Sequence, residues 1–288
     1  MNAELSGQVL DILAGYQPET PAPSADRLRQ LWLGFGGGKV HSIRAEQQEA
    51  QETAGIPVPI LKEIGDTLSR SAQKHVQDFL PLAQLLWEGY GREGRVVALP
   101  ALGTMELADP EGIVPLLHHL CRSCITWEDC DRLAMDALEP IVRKQPEKWL
   151  PVMETWLMDE NKWVRRAGVT VVGRLAMKQP RLTTRCLDLC QHLLFDTDDD
   201  VRKAVSFAIR ICVRGEVGPV VAFLQRHVPP QDPAATWVLC DVIRSMGKAF
   251  LKEFRPLLPE YERWAQTPGV STKDKKSIES AVGILRGA

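Results

Sequence analysis

The chain has 288 residues, 25% of them charged, and a formal net charge of -2. With 44% hydrophobic residues it can bury a full core in one or two domains. No apolar run of about 18 residues occurs, so no membrane-spanning helix is expected. The near-neutral balance excludes a strongly basic nucleic-acid binder and leaves room only for a local basic face.

The opening "MNAELSGQVLDILAGYQPET" has no basic flank and no small-residue cleavage site, so it does not read as a secretory signal. Residues 1–40 are expected to form a short helix, the Pro-rich linker "YQPETPAPSADR" and the flexible loop "GFGGGKV". That loop is not a phosphate cradle. Only three residues separate Gly34 from Gly38, and Val40 follows Lys39 where a Ser or Thr is needed for magnesium.

Residues 41–288 are expected to form one α-solenoid. "RVVALPALGTMEL", "GIVPLLHHLCRSC", "DRLAMDALEPIVRK", "WLPVMETWLMD", "VRRAGVTVVGRLAMK" and "VRKAVSFAIRICVRG" carry apolar residues three and four apart, broken at intervals by Pro and Gly. No alternating strand of useful length and no Asn-Gly or Asp-Gly hairpin turn appears, so the class is all-α.

Within this region "WLMDENKWVRRAGVTVVGRLA" and "LLFDTDDDVRKAVSFAIRICV" align without a gap, Asp159 over Asp196, an offset of 196 − 159 = 37 residues. A period near 40 built from helix pairs indicates a HEAT-like solenoid with a concave binding face. The doublets Arg165-Arg166 and Arg202-Lys203 fall near the start of the second helix of each pair. Cations there oppose the helix dipole, so a purpose other than helix stability is expected. The run Asp196, Asp198, Asp199 and Asp200 reads as capping and first-turn charge.

Seven cysteines, an odd number, point to reduced thiols in a cytoplasmic protein. His118, His119, Cys121, Cys124 and Cys130 lack a second pair at a fixed distance, so no metal is expected, and no cofactor motif occurs. Trp127 and Asp131 share one helix face, four residues apart. Taken singly, such a pair reads as a packing tryptophan beside a solvated aspartate.

Taken together, the motifs resemble the AlkD-like DNA alkylation repair glycosylases, a HEAT-like repeat family. "AGIPVPILKEI", "LWEGYGREGRVVAL", "TWEDCD", "DENKWVRRAG" and "VRKAVSFAIR" are similar to the family's segments in the same order, over about residues 50 to 228. The resemblance implies excision of cationic N3- and N7-alkylated purines from double-stranded DNA without deep base flipping, and the chain is expected to act as a monomer. It further implies Asp131 as the catalytic carboxylate, Trp127 as a wall of the cleft and Arg166 at the DNA backbone. Phe207 stands where the family pattern has a tryptophan. Arg165, Arg202, Lys203 and Arg210 are expected to join Arg166 at phosphates.

These residue types suit that chemistry. A cationic purine leaves readily, positive charge builds on the sugar, and a fixed carboxylate stabilises it. Aromatic faces attract the cation, and arginine clamps phosphate. The alternative is a non-catalytic HEAT-like scaffold binding DNA or a protein on its concave face. The first reading expects Trp127, Phe207 and Asp131 partly open; the second expects both rings buried.

Overall fold

A computed structural model describes residues 3–36, 53–73, 75–105 and 109–288. The rest of the "GFGGGKV" loop beyond Gly36, and the expected boundary at residues 40 and 41, lie outside the described residues. The described chain is helical with no strand, a HEAT-like helical repeat, and divides into two compact units, 1–144 and 145–288.

In the first unit α1 (Ala3–Leu13) packs on α3 (Val58–Ala72), and α2 (Ala22–Leu33) packs on α4 (Val76–Gly89). Helix α3 in turn packs on α5 (Gly91–Met105). The stretch expected to be a linker therefore contains the first half of α2. Its prolines do not prevent this, because Pro21 occupies the cap and Pro23 the first turn, where a missing N–H costs nothing. Leu28 and Trp32 are then buried one turn apart.

Helix α6 (Pro110–Arg122) leads to α7 (Trp127–Leu133), a π-helical turn at Ala134–Leu138, and α8 (Glu139–Lys144). The π turn sits against α5 at Gly103, where a β-carbon would come within 2.7 Å of the Asp136 carbonyl oxygen. Only glycine permits that approach.

The second unit runs α9 (Pro146–Leu157), α10 (Lys162–Lys178), α11 (Thr183–Cys190), α12 (Asp199–Cys212), α13 (Val217–His227) and α14 (Thr236–Arg244). It closes with α15 (Leu251–Phe254), α16 (Leu258–Ala265) and α17 (Thr272–Arg286). Second helices stack on second helices, α10 on α12, α12 on α14 and α14 on α17, as a helix-pair repeat requires.

The repeat is visible at atomic level. Asn161 caps α10 by accepting from the Trp163 and Val164 amides, and Asp198 caps α12 by accepting from Asp200 and Val201, 198 − 161 = 37 residues later. Two residues ahead of each cap, Asp159 and Asp196 accept from the cap's own N–H at 2.7 and 2.9 Å. Not every proline is a break. Pro81, Pro115 and Pro151 lie in the second turn of α4, α6 and α9, and Pro100 lies inside α5. Each removes one helical N–H, a loss these helices absorb through the buried faces they pack.

Candidate functional site

Helix α7 begins with a capping box. The Thr126 hydroxyl accepts from the Asp129 N–H, and the Asp129 carboxylate accepts from the Thr126 N–H, both at 3.3 Å. The helix carries three carboxylates with different surroundings. Asp129 is 4% exposed and ion-paired to Arg95 Nη1 at 2.5 Å. Glu128 is also buried, held by Arg132 at 2.8 Å and by Arg92 at 3.5 Å. Asp131 is half-buried, and Trp127, one turn earlier, is half-buried as well.

The helix is thus held by its neighbours on the side away from solvent. Arg95 also donates to the Trp87 and Ser123 carbonyls at 3.3 and 3.1 Å, while Trp87, fully buried, donates through its indole N–H to Ser123 Oγ at 3.0 Å. Between the two arginines, buried Glu93 accepts from Thr53 Oγ1, the Ala54 N–H and the Ile56 N–H, at 2.8, 3.1 and 3.4 Å. Three successive charged residues of "REGR" therefore fasten α7 and the start of "AGIPVPILKEI" to α5. These positioning residues were not singled out from the sequence. The available signal was spacing: Arg92 to Glu128 is 36 residues and Arg95 to Asp129 is 34, each about one repeat.

In the second unit the expected phosphate contacts divide. Arg165 makes a two-pronged pair with Asp196 at 2.7 and 3.3 Å and donates to the Asp159 and Glu160 carbonyls, both at 2.9 Å. Arg166 is 7% exposed and donates to the Asp200 carbonyl. Lys162 reaches Asp200 at 2.9 Å and Asp198 at 3.6 Å. The unfavourable cations at the start of α10 are therefore matched by the acidic run that opens the next repeat, so that run ties repeats together as well as capping a helix. Burial and intramolecular partners thus take up the guanidinium groups of Arg165 and Arg166, the two arginines expected at phosphate.

Helix α12 differs. Lys203 and Phe207 are exposed, Phe207 by 42%. Arg210 lies over the Phe207 ring, 5.6 Å from its centroid, and donates to the Ser245 carbonyl at 3.1 Å. Burial draws the Arg210 guanidinium below its ordinary pKa, with Asp241 opposing the effect. Arg202 sits 5.0 Å from the Trp237 ring and 3.3 Å from Asp199. Trp127 and Asp131 belong to the first unit; Arg165, Arg166, Arg202, Lys203, Phe207 and Arg210 belong to the second.

The cysteines are buried free thiols. Cys124 donates to the Leu120 carbonyl as a small core residue does, while His119 lies 3.5 Å from Glu88.

Among solved structures, the chain is similar to AlkD2 from Streptococcus mutans, with 16% identity, a TM-score of 0.57, and coverage of 79% of this chain and 99% of that one. It is also similar to smu.31 from Streptococcus mutans UA159, with 18% identity, a TM-score of 0.50, and coverage of 65% and 100%. Both likenesses concern the fold. Among curated proteins it is 23% identical to coatomer subunit gamma-2 of Bos taurus over 239 residues, 80% of this chain. The chain spans 27% of the length of that relative. The DNA alkylation repair enzyme family matches residues 38–236, more than half of the chain, and takes in α3 through the start of α14. The protein therefore belongs to the DNA alkylation repair enzyme family.

Proposed function

We propose that the protein is a DNA glycosylase that excises cationic N3- or N7-alkylated purines from duplex DNA, acting as a monomer and without drawing the base into a deep pocket. The observation that carries the reading is the division of labour on α7. Glu128 and Asp129 are buried in ion pairs, while Asp131 is partly open on the same rigid helix as the half-buried Trp127 ring.

The chemistry follows from these groups. The glycosidic C–N bond breaks heterolytically, and its electron pair neutralises the departing cationic purine. Positive charge grows on the sugar, where the Asp131 carboxylate stabilises it. Water then adds to the anomeric carbon and gives up its proton, and Asp131 is suited to align it. Trp127 offers a π face to the cation. The second unit by itself offers an exposed ring, Phe207, and an exposed cation, Lys203, suited to a base face and a phosphate. Arg92, Arg95 and Glu93 touch no substrate and act by holding α7.

The test is base release from methylated duplex DNA by the wild type and by Asp131→Asn. Release with a loss of about a hundredfold or more in the variant is the expected outcome. Equal release by both removes Asp131 from the mechanism.

A second reading is a non-catalytic helical-repeat scaffold, favoured by the 23% identity with a coatomer subunit across 80% of the chain. It calls for Trp127 and Phe207 to be packing residues, whereas Trp127 is half-buried and Phe207 is 42% exposed. The glycosylase reading is preferred for that reason.

A further inference from the structure

The second unit contains a cleft of about 520 Å³ lined by residues of α12, α14 and α17, most of them beyond the family match. Four cations line it: Arg202, paired with Asp199 at 3.3 Å, Arg244, paired with Asp241 at 3.5 Å, and Lys273 and Lys276. Its two acids are already engaged. Asp196 is paired with Arg165, and Asp274 is bonded to the Ser271 hydroxyl that caps α17. In a chain of net charge -2 the two lysines leave this cleft with a local excess of positive charge.

Lys273 and Lys276 lie in the first turns of α17, where a cation is unfavourable. At the start of α10 the same conflict is relieved by acids of the next repeat. At α17 it is not. Both lysines are exposed, and among the described residues neither has a carboxylate within ion-pair distance. Arg202 places its guanidinium beside the half-buried Trp237 ring, and its Nε is buried with no partner. Two exposed lysines and two arginines in one cleft with a half-buried tryptophan match a phosphate joined to a flat base.

We infer that this cleft holds a nucleotide of an unpaired DNA strand, its base against Trp237 and its phosphates on Lys273, Lys276 and Arg244. Stacking on an aromatic face with cations along the backbone is how single strands are held without sequence preference. A cleft of about 520 Å³ is of a size to admit one nucleotide. The inference rests on the DNA reading only in its choice of polymer, and it is independent of Asp131.

The experiment is fluorescence anisotropy of a labelled single-stranded DNA oligonucleotide across a salt series. Wild type, Lys273→Ala/Lys276→Ala and Trp237→Leu are compared, with thermal melts of each. The lysine variant, altered only at exposed positions, is expected to bind at least tenfold more weakly with a shallower salt dependence. Trp237→Leu is expected to lose about tenfold with the salt dependence kept, and Trp237→Phe to recover most of it. Wild-type affinity in folded variants would overturn the inference. So would displacement of the strand by adenosine monophosphate at equal nucleotide concentration, which would make the cleft a free-nucleotide site. Strand binding lost in these variants while base release from methylated duplex persists supports the inference separately from the glycosylase reading. Base release with no single-strand binding overturns the inference alone.

Discussion

Arg95 and Asp129 are 34 residues apart in the chain and joined by an ion pair at 2.5 Å, with side chains 8% and 4% exposed. The pair locks the first turn of α7 against α5, so the residue two positions on, Asp131, is presented by a helix that is not free to turn. Removing one partner strands a buried charge, which costs far more than the net value of the intact pair. Arg95→Met is expected to destabilise the protein by about 3–5 kcal/mol, read from its urea denaturation midpoint. Arg95→Lys is expected to recover little, because one ammonium cannot also serve the Trp87 and Ser123 carbonyls.

Arg165 and Lys203 should separate structural cations from DNA-facing ones. Arg165→Met removes the partner of Asp196, which is 6% exposed, and is expected to cost about 2–4 kcal/mol of stability. DNA affinity at low temperature should stay within about threefold. Lys203→Ala is expected to leave the melting curve unchanged and to lower the salt slope of DNA binding by about one. The opposite pattern would return Arg165 to the DNA interface.

Phe207 tests the role of an exposed ring. At 42% exposure, its replacement by Trp should alter stability by no more than about 0.5 kcal/mol. The larger π face is expected to raise excision of a cationic base, and Phe207→Ala to lower it by about two- to thirtyfold. Unchanged single-turnover rates in both variants would remove the ring from the site.

Alkaline pH should weaken the fold in a defined window. Burial raises the Cys186 and Cys240 thiols from 9.0 to about 12, and holds Cys212 and Tyr261 well above their ordinary values. The unfolded chain releases these protons from about pH 9 upward while the folded chain keeps them. The unfolded state therefore binds fewer protons, and stability falls as pH rises. Their contribution is fully present below pH 9 and disappears as pH approaches 12. Urea midpoints should be flat from pH 7 to pH 8.5 and decline thereafter. In the same way, the seven thiols should react with a disulfide reagent only as the chain unfolds.

Much of the architecture is legible without coordinates. Helical class follows from apolar residues three and four apart, and the 37-residue repeat follows from Asp159 recurring as Asp196, both consequences of short-range geometry. The helix within "TPAPSADR" was hidden because proline suits both a linker and a first helical turn. The burial of Leu28 and Trp32 favours the helix.

The sequence by itself determined most of the helices, the repeat and the family motifs that bring Trp127, Asp131 and Phe207 to notice. The tertiary structure decided which charges are closed by partners within the fold and which stand in solvent. Arg166 and Lys203 occupy equivalent positions of the repeat, yet one is buried and donates to the Asp200 carbonyl while the other stands in solvent. The reason is the reach of the interactions. A helix is set by contacts within four residues, whereas the polar contacts that fix these arginines span 31 to 36 residues, from Arg165–Asp196 to Arg92–Glu128. Only stacking of one repeat on the next brings such partners together.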